Sequence, residues 1–358
     1  MGRGEPHDGP VFEPGDIHPN RPGVVVPVRV DPDGLTGPTR RQARGARWRH
    51  SSWGFYVPAW TDPESVEQRI VEAAVHLPRD GGVTGWAALR WMRGHWFGGT
   101  DARGAPLDVT LATAGLHARA RPGIAICEEK MAPRDLVVVD GLRVTTPVRS
   151  VCFAMRYAGS VREAARVLDL AAYSDLVSIE ELRAYAYEHP AWTGIPRCRD
   201  AIPYADENAW SPAEFDMRWT WWVDAAFPRP LCNRPVFDLR GRHLGTPDLI
   251  DPAHGVVGQY DGALHLAGGQ RMKDIQQEAT FRSVGLEPVT MLAPDRHDPA
   301  AFLHRLRLAY ARAAARPAAE RRWSVVPPSW WVPTTTVAAR RHLDTDQRAR
   351  LLRYRRTA

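Results

Sequence analysis

A strand fenced by helices sets what the last half of this chain can become. Val256 to Tyr260 reads as a buried strand that Asp261-Gly262 brings to an end. Upstream, Pro212 directly after Ser211 marks a helix start, because proline suits the first helical position. That helix carries Glu214 in its first turn, followed by Phe215, Trp219, Trp222 and Val223. Downstream, Gln270 to Val284 reads as a helix with Met272, Ile275, Ala279 and Phe281 as its apolar residues, and Leu286 to Leu292 as a further strand. Val236–Leu239 and Leu249–Ile250 flank a turn at Gly241-Arg242-His243, which predicts a hairpin with Asp248 at the start of its second strand. The order helix, two or three strands, helix, strand calls for a mixed α/β (α+β) unit.

A chain of 358 residues exceeds one ordinary core and is expected to form two or three domains. Its hydrophobic content of 44 % is that of a globular protein. No run of about 18 apolar residues occurs, so no membrane partner is expected. The first residues lack an apolar signal core, which points to the cytoplasm. Cys127, Cys152, Cys198 and Cys232 are scattered without a CxxC pair, so reduced thiols are expected rather than a structural zinc site. The net charge of +6 is uneven: from Ala301 onward thirteen Arg face Glu320, Asp344 and Asp346. A basic tail of that kind suits a nucleic-acid partner, or simply a solvated helix face.

Residues 1–34 are Pro-, Gly- and Asp-rich and are expected to be largely irregular. Across 35–60, Arg40-Arg41-Gln42-Ala43-Arg44 suggests a short helix, and Arg47–His50 and Gly54–Pro58 suggest two strands around a Ser51-Ser52-Trp53 turn. Arg40, Arg41, Arg44, Arg47 and Arg49 have no acidic neighbour in this segment, so it reads as a reduced winged helix that places these arginines on DNA, or as a solvated basic lobe. Residues 61–200 mix helices and strands. They include an amphipathic helix over Pro63–His76 and helices at Ser160–Ala172 and Ser178–Tyr187, and they carry no catalytic cluster. The site residues fall in 201–300. Residues 301–358 read as an Ala/Arg/Leu helix, an extended Trp330-Trp331 segment and a fraying basic helix that could add phosphate contacts.

Taken in order, Asp248, a strand ending Tyr260-Asp261-Gly262, His265, and a helix bearing Asp274 and closing at Gly285 resemble the Vsr-like branch of the PD-(D/E)xK nucleases. The resemblance covers roughly residues 205–295. The front of the chain is more loosely similar to proteins that place an AbiEi-type antitoxin winged helix ahead of such a domain. The resemblance implies a restriction-endonuclease-like C-terminal domain, with a central mixed sheet flanked by helices and a Mg²⁺ or Mn²⁺ cofactor. It implies Asp248 as a metal ligand and Asp261, or its neighbouring backbone, as a second ligand or the group that positions the water. His265 becomes a general base or phosphate contact, Glu214 orients a metal-bound water, and Asp274 supports the site. Magnesium's preference for hard oxygen ligands agrees with that set.

The chain departs from the pattern. Gln259 stands where a Glu is frequent, Lys273 on the following helix is the nearest lysine, and Gln277 replaces a frequent Arg. Each site residue alone is also what a helix first turn or a tight turn carries. Two expectations stand: a DNA-directed endonuclease that hydrolyses phosphodiesters with a metal-activated water, or a non-enzymatic DNA-binding regulator of antitoxin type that keeps a degenerate nuclease domain. No small-molecule cofactor is expected, and the oligomeric state is open.

Overall fold

The computed structural model describes residues 17–101, 103–262 and 268–356 of the chain. It is a mixed α/β structure divided into two compact units, one ending at Tyr157 and the other beginning at Ala158. The expected block 61–200 is therefore cut in two, and residues 301–358 join the unit that holds the site. Among the described residues no helix is long and apolar enough to cross a membrane, and the four cysteines are buried and not disulfide-bonded.

The first unit contains β1 (Val28–Arg29), β2 (Trp48–Ser52), β3 (Phe55–Pro58), α1 (Val66–Ala74), β4 (Gly82–Thr84), α2 (Gly85–Trp91), β5 (Val109–Ala112), β6 (Ile124–Cys127), β7 (Leu136–Val139), β8 (Leu142–Thr145) and α3 (Pro147–Arg156). Its strands form a small sheet in the order β1-β3-β2 and a five-stranded mixed sheet in the order β6-β5-β4-β8-β7. The helix expected from periodicity is α1: Ser65 caps it, and Ile70, Val71, Ala73 and Ala74 turn into the core. The basic segment differs from expectation. Gln42–Arg44 is a single 3₁₀ turn with no side-chain cap, too short to lie in a groove as a recognition helix. Arg40, Arg41, Arg44 and Arg47 are exposed, whereas Arg49 is held by Glu72 at 2.5 and 3.1 Å.

The second unit opens with α4 (Val161–Tyr173), α5 (Ile179–Glu188), α6 (Ile195–Ala201) and α7 (Pro212–Trp219), which runs on into a π-helical turn at Thr220–Asp224. There follow β9 (Leu231–Cys232), β10 (Val236–Asp238), β11 (His243–Gly245), β12 (Leu249–Asp251), β13 (Val256–Asp261), α8 (Gly268–Ser283), β14 (Glu287–Leu292), α9 (Ala300–Ala315), β15 (Trp323–Ser324), α10 (Val337–Arg341) and α11 (Thr345–Leu351). The main sheet has the order β14-β13-β12-β9. β13 runs parallel to β14 through the α8 crossover, while β12 is antiparallel to both β13 and β9.

Two apolar layers enclose this sheet. Met217, Trp221, Leu249, Val256, Val289, Phe302 and Leu306 pack on the α7 and α9 side. Val236, Ile250, Val257, Phe281 and Leu286 pack on the other. Alternation along β13 therefore sends Val257, Gln259 and Asp261 to one face and Val256, Gly258 and Tyr260 to the opposite one.

Three expectations are corrected in this unit. The hairpin across Gly241 pairs β10 with β11, not with β12, which belongs to the larger sheet. Among the described side chains of α8 only Phe281 is buried, while Met272 and Ile275 are exposed. Residues 344–356 are docked rather than frayed. Asp175 receives Arg340, Arg348 and Arg355, and Tyr354 stacks on Trp210 with ring centroids 3.8 Å apart. Arginines on and just past α9 are likewise engaged: Arg305 with Asp295, and Arg312 and Arg316 with Glu287.

Candidate functional site

The site starts from a helix cap. Ser211 Oγ accepts the Glu214 amide at 3.2 Å and donates to Glu214 Oε1 at 3.1 Å. Glu214 Oε2 accepts from the Trp210 amide at 2.8 Å and from Asn233 Nδ2 at 2.6 Å. A carboxylate at this place is favoured by the helix dipole. The cap also draws Glu214 below the surface, to 7 % exposure.

A second carboxylate faces it. The ladder pairs Leu249 with Gly258, so continuing the register by one residue sets Asp248 opposite Gln259 on the next strand. Asp248 Oδ2 accepts the Tyr260 amide at 2.7 Å, which ties the side chain to β13. The Asp248 carbonyl accepts the Asn233 amide at 2.9 Å. Burial, with the negative charge of Asp248 as the next cause, pushes the Glu214 carboxyl up from its ordinary 4.5 to about 8. Glu214 and Asp248, 34 residues apart in sequence, thus act on each other across the sheet.

Asn233 joins the two. It sits at φ 45° beyond β9, a backbone conformation that asparagine tolerates better than most residues. Its Nδ2 donates to Glu214 and to the Asn208 carbonyl, which fixes the orientation of the amide. Its Oδ1 is then buried with no hydrogen-bond partner among the described residues. An acceptor oxygen stranded beside two carboxylates is a group that a cation would satisfy. Sequence reasoning missed Asn233, because its role arises only from contacts with residues far away in the chain.

The remaining candidates are placed as follows. Gln259 is half-buried and lies on the face of β13 that carries Asp261, while Asp261 is exposed at the strand's end. His265 lies outside the described residues, as do the side chains of Lys273 and Asp274. Gln277, further along α8, approaches Gly245, where an added Cβ would sit 2.9 Å from its Nε2. Among the described residues no three His, Cys, Asp or Glu side chains converge in a metal-holding group. Two of the expected acidic residues, Glu214 and Asp248, are brought together. Asp261 does not complete a triad with them, because it lies at the exposed end of β13, beyond the step that faces Asp248.

Against Mg²⁺ or Mn²⁺ the residues present fit in part. Glu214, Asp248 and Asn233 Oδ1 offer hard oxygens, and burial beside Asp248 raises the Glu214 carboxyl. Gln259 contributes a neutral amide where another carboxylate would add charge. Comparisons with protein-family models, with curated proteins and with solved structures returned no match to this chain.

Proposed function

We propose that the chain is a DNA-directed protein whose second unit is built on the plan of the PD-(D/E)xK nucleases of the Vsr-like type, with Glu214 and Asp248 as the heart of a divalent-cation site for phosphodiester hydrolysis. The observation that carries this reading is the burial of Glu214 beside Asp248, which raises its carboxyl to about 8, a strong perturbation of the kind that functional sites show. The parallel β13-α8-β14 crossover, with β12 antiparallel to β13 and Asp248 ahead of β12, agrees with the same plan. Asp248 is oriented by the Tyr260 amide, and Glu214 by Trp210, Ser211 and Asn233, so neither carboxylate has to reorganise on binding. A bound Mg²⁺ would supply an activated water and neutralise charge on the phosphate. Cation binding is linked to release of the Glu214 proton and is therefore favoured as pH rises.

The test is nicking of supercoiled plasmid by the full chain in Mg²⁺ or Mn²⁺. Nicking that disappears in EDTA and in Asp248→Ala is the expected result. Nicking that is equal in Asp248→Ala, or absent from the wild type, sinks the hydrolytic reading. A second reading, a DNA-binding regulator that does not cut, is favoured by Gln259 and by the lack of a third converging acid among the described residues. It expects DNA retention without any effect of cation.

A further inference from the structure

We infer that Arg162, Arg166 and Arg296 form a binding surface for backbone phosphates of a nucleic-acid strand beside the Glu214–Asp248 pair. All three guanidinium groups converge on one carboxylate, Asp216. Arg162 Nη2 lies 3.1 Å from Oδ1. Arg166 also holds Oδ1. Arg296 donates to Oδ2 through Nη2 at 2.7 Å and Nε at 3.1 Å. One further acid, Asp224, stands 3.8 Å from Arg162. Three positive charges against one close negative charge leave a surplus that repels itself until an anion arrives.

Exposure decides between a folding clamp and a binding surface. The Asp175 cluster elsewhere in this unit also gathers three arginines, but two of them, Arg340 and Arg355, are closed off, with side chains 1 % and 17 % exposed, and only Arg348 is open at 39 %. Around Asp216 the acid is sunk to 6 %, while the three arginine side chains are 30–36 % exposed. The carboxylate thus works from below as an anchor that gathers the three guanidinium groups at a partly open surface, and a guanidinium fork matches phosphate oxygens. Arg162 lies over the Trp219 ring at 5.7 Å, and Arg229 over the Trp222 ring at 4.7 Å, so two half-buried aromatic rings, one at the end of α7 and one in the turn after it, each carry an arginine. Nucleic-acid surfaces combine those two elements, charge for the backbone and rings for bases.

The position fits as well. Arg296 also interacts with Tyr260, whose amide holds Asp248, so the arginine surface is linked to the carboxylate pair through β13. The inference rests on the proposed function only for the identity of the phosphate's source.

The test is fluorescence anisotropy of labelled single-stranded and duplex oligonucleotides with the full chain in EDTA, across a salt series. Arg162→Ala and Arg296→Ala each leave two arginines on Asp216, so the fold is kept, and a thermal transition checks that it is. Each variant is expected to bind several-fold more weakly, with a salt slope shallower by about 1. Arg183→Ala, which removes an exposed arginine paired with Glu180 on α5, is expected to match the wild type. Variants that bind like the wild type with an unchanged slope overturn the inference, as does absence of any binding by the wild type at low salt. The two readings fail separately: arginine-dependent binding without nicking removes only the hydrolytic reading, and nicking with arginine-independent binding removes only this one.

Discussion

At the scale of single residues, one proton governs the site. Glu214 keeps it in the folded chain up to about pH 8, whereas an exposed glutamate in the unfolded chain gives it up near 4.5. The folded carboxyl is raised above the unfolded one, so its contribution is fully favourable below pH 4.5 and is lost as pH climbs to 8. Glu214→Gln, which cannot ionise, is predicted to flatten this part of the stability curve and to be more stable than wild type above pH 8. Scanning calorimetry from pH 5 to 9 checks it; parallel curves for the two proteins would remove the burial argument. Glu214 and Asp248 were legible as types and positions: an acid in a helix first turn and an acid opening a strand. Asn233 was not, because a lone asparagine in a connecting segment gives no hint that a glutamate 19 residues upstream and an asparagine carbonyl 25 upstream will claim its amide.

At the scale of elements, helices were read well and strand partners were not. Caps and apolar spacing are local, so α1, α4, α5 and α7 could be anticipated from Ser65, Ser160, Ser178 and Ser211. β10, β11 and β12 have three residues each, and their pairing is chosen by what lies across the sheet, so the expected hairpin joined the wrong two. In the winged segment the β2–β3 hairpin formed as expected but the helix did not: a run of five residues, three of them arginine, closed by Gly45, supplies one turn and no apolar face to hold a longer helix. Gly285 tests the α8–β14 junction that brings β14 alongside β13. Its φ is 93°, and an added Cβ would lie 2.6 Å from the Glu320 carbonyl oxygen. Gly285→Ala is predicted to destabilise the protein by about 1–3 kcal/mol in urea unfolding. An unchanged midpoint would show that this junction does not hold the parallel pair.

At the scale of the whole chain, the last residues are part of the site's support. Arg340, Arg348 and Arg355 tie residues 337–356 to Asp175, and Tyr354 covers Trp210, whose amide holds Glu214. Truncation after Thr336 leaves Asp175 without its three guanidinium groups and is predicted to destabilise the protein by about 3–5 kcal/mol, read by thermal or urea unfolding. A truncated chain as stable as the full one would return these residues to the status of a loose basic tail. The charge surplus visible in the sequence said nothing of this, since composition does not reveal which arginines are already matched. Six of the thirteen at the end of the chain are engaged by Asp175, Glu287 or Asp295, while the surplus at Asp216 comes from two places far apart in the chain, α4 and the turn after β14.

The most direct test of the account is calorimetric titration of the full chain with Mn²⁺ at pH 7 and pH 9, alongside Asp248→Asn. The account predicts a site in the wild type that tightens at the higher pH as Glu214 gives up its proton, and that is missing from Asp248→Asn. Mn²⁺ binding that is equal in both proteins, or independent of pH, would contradict it.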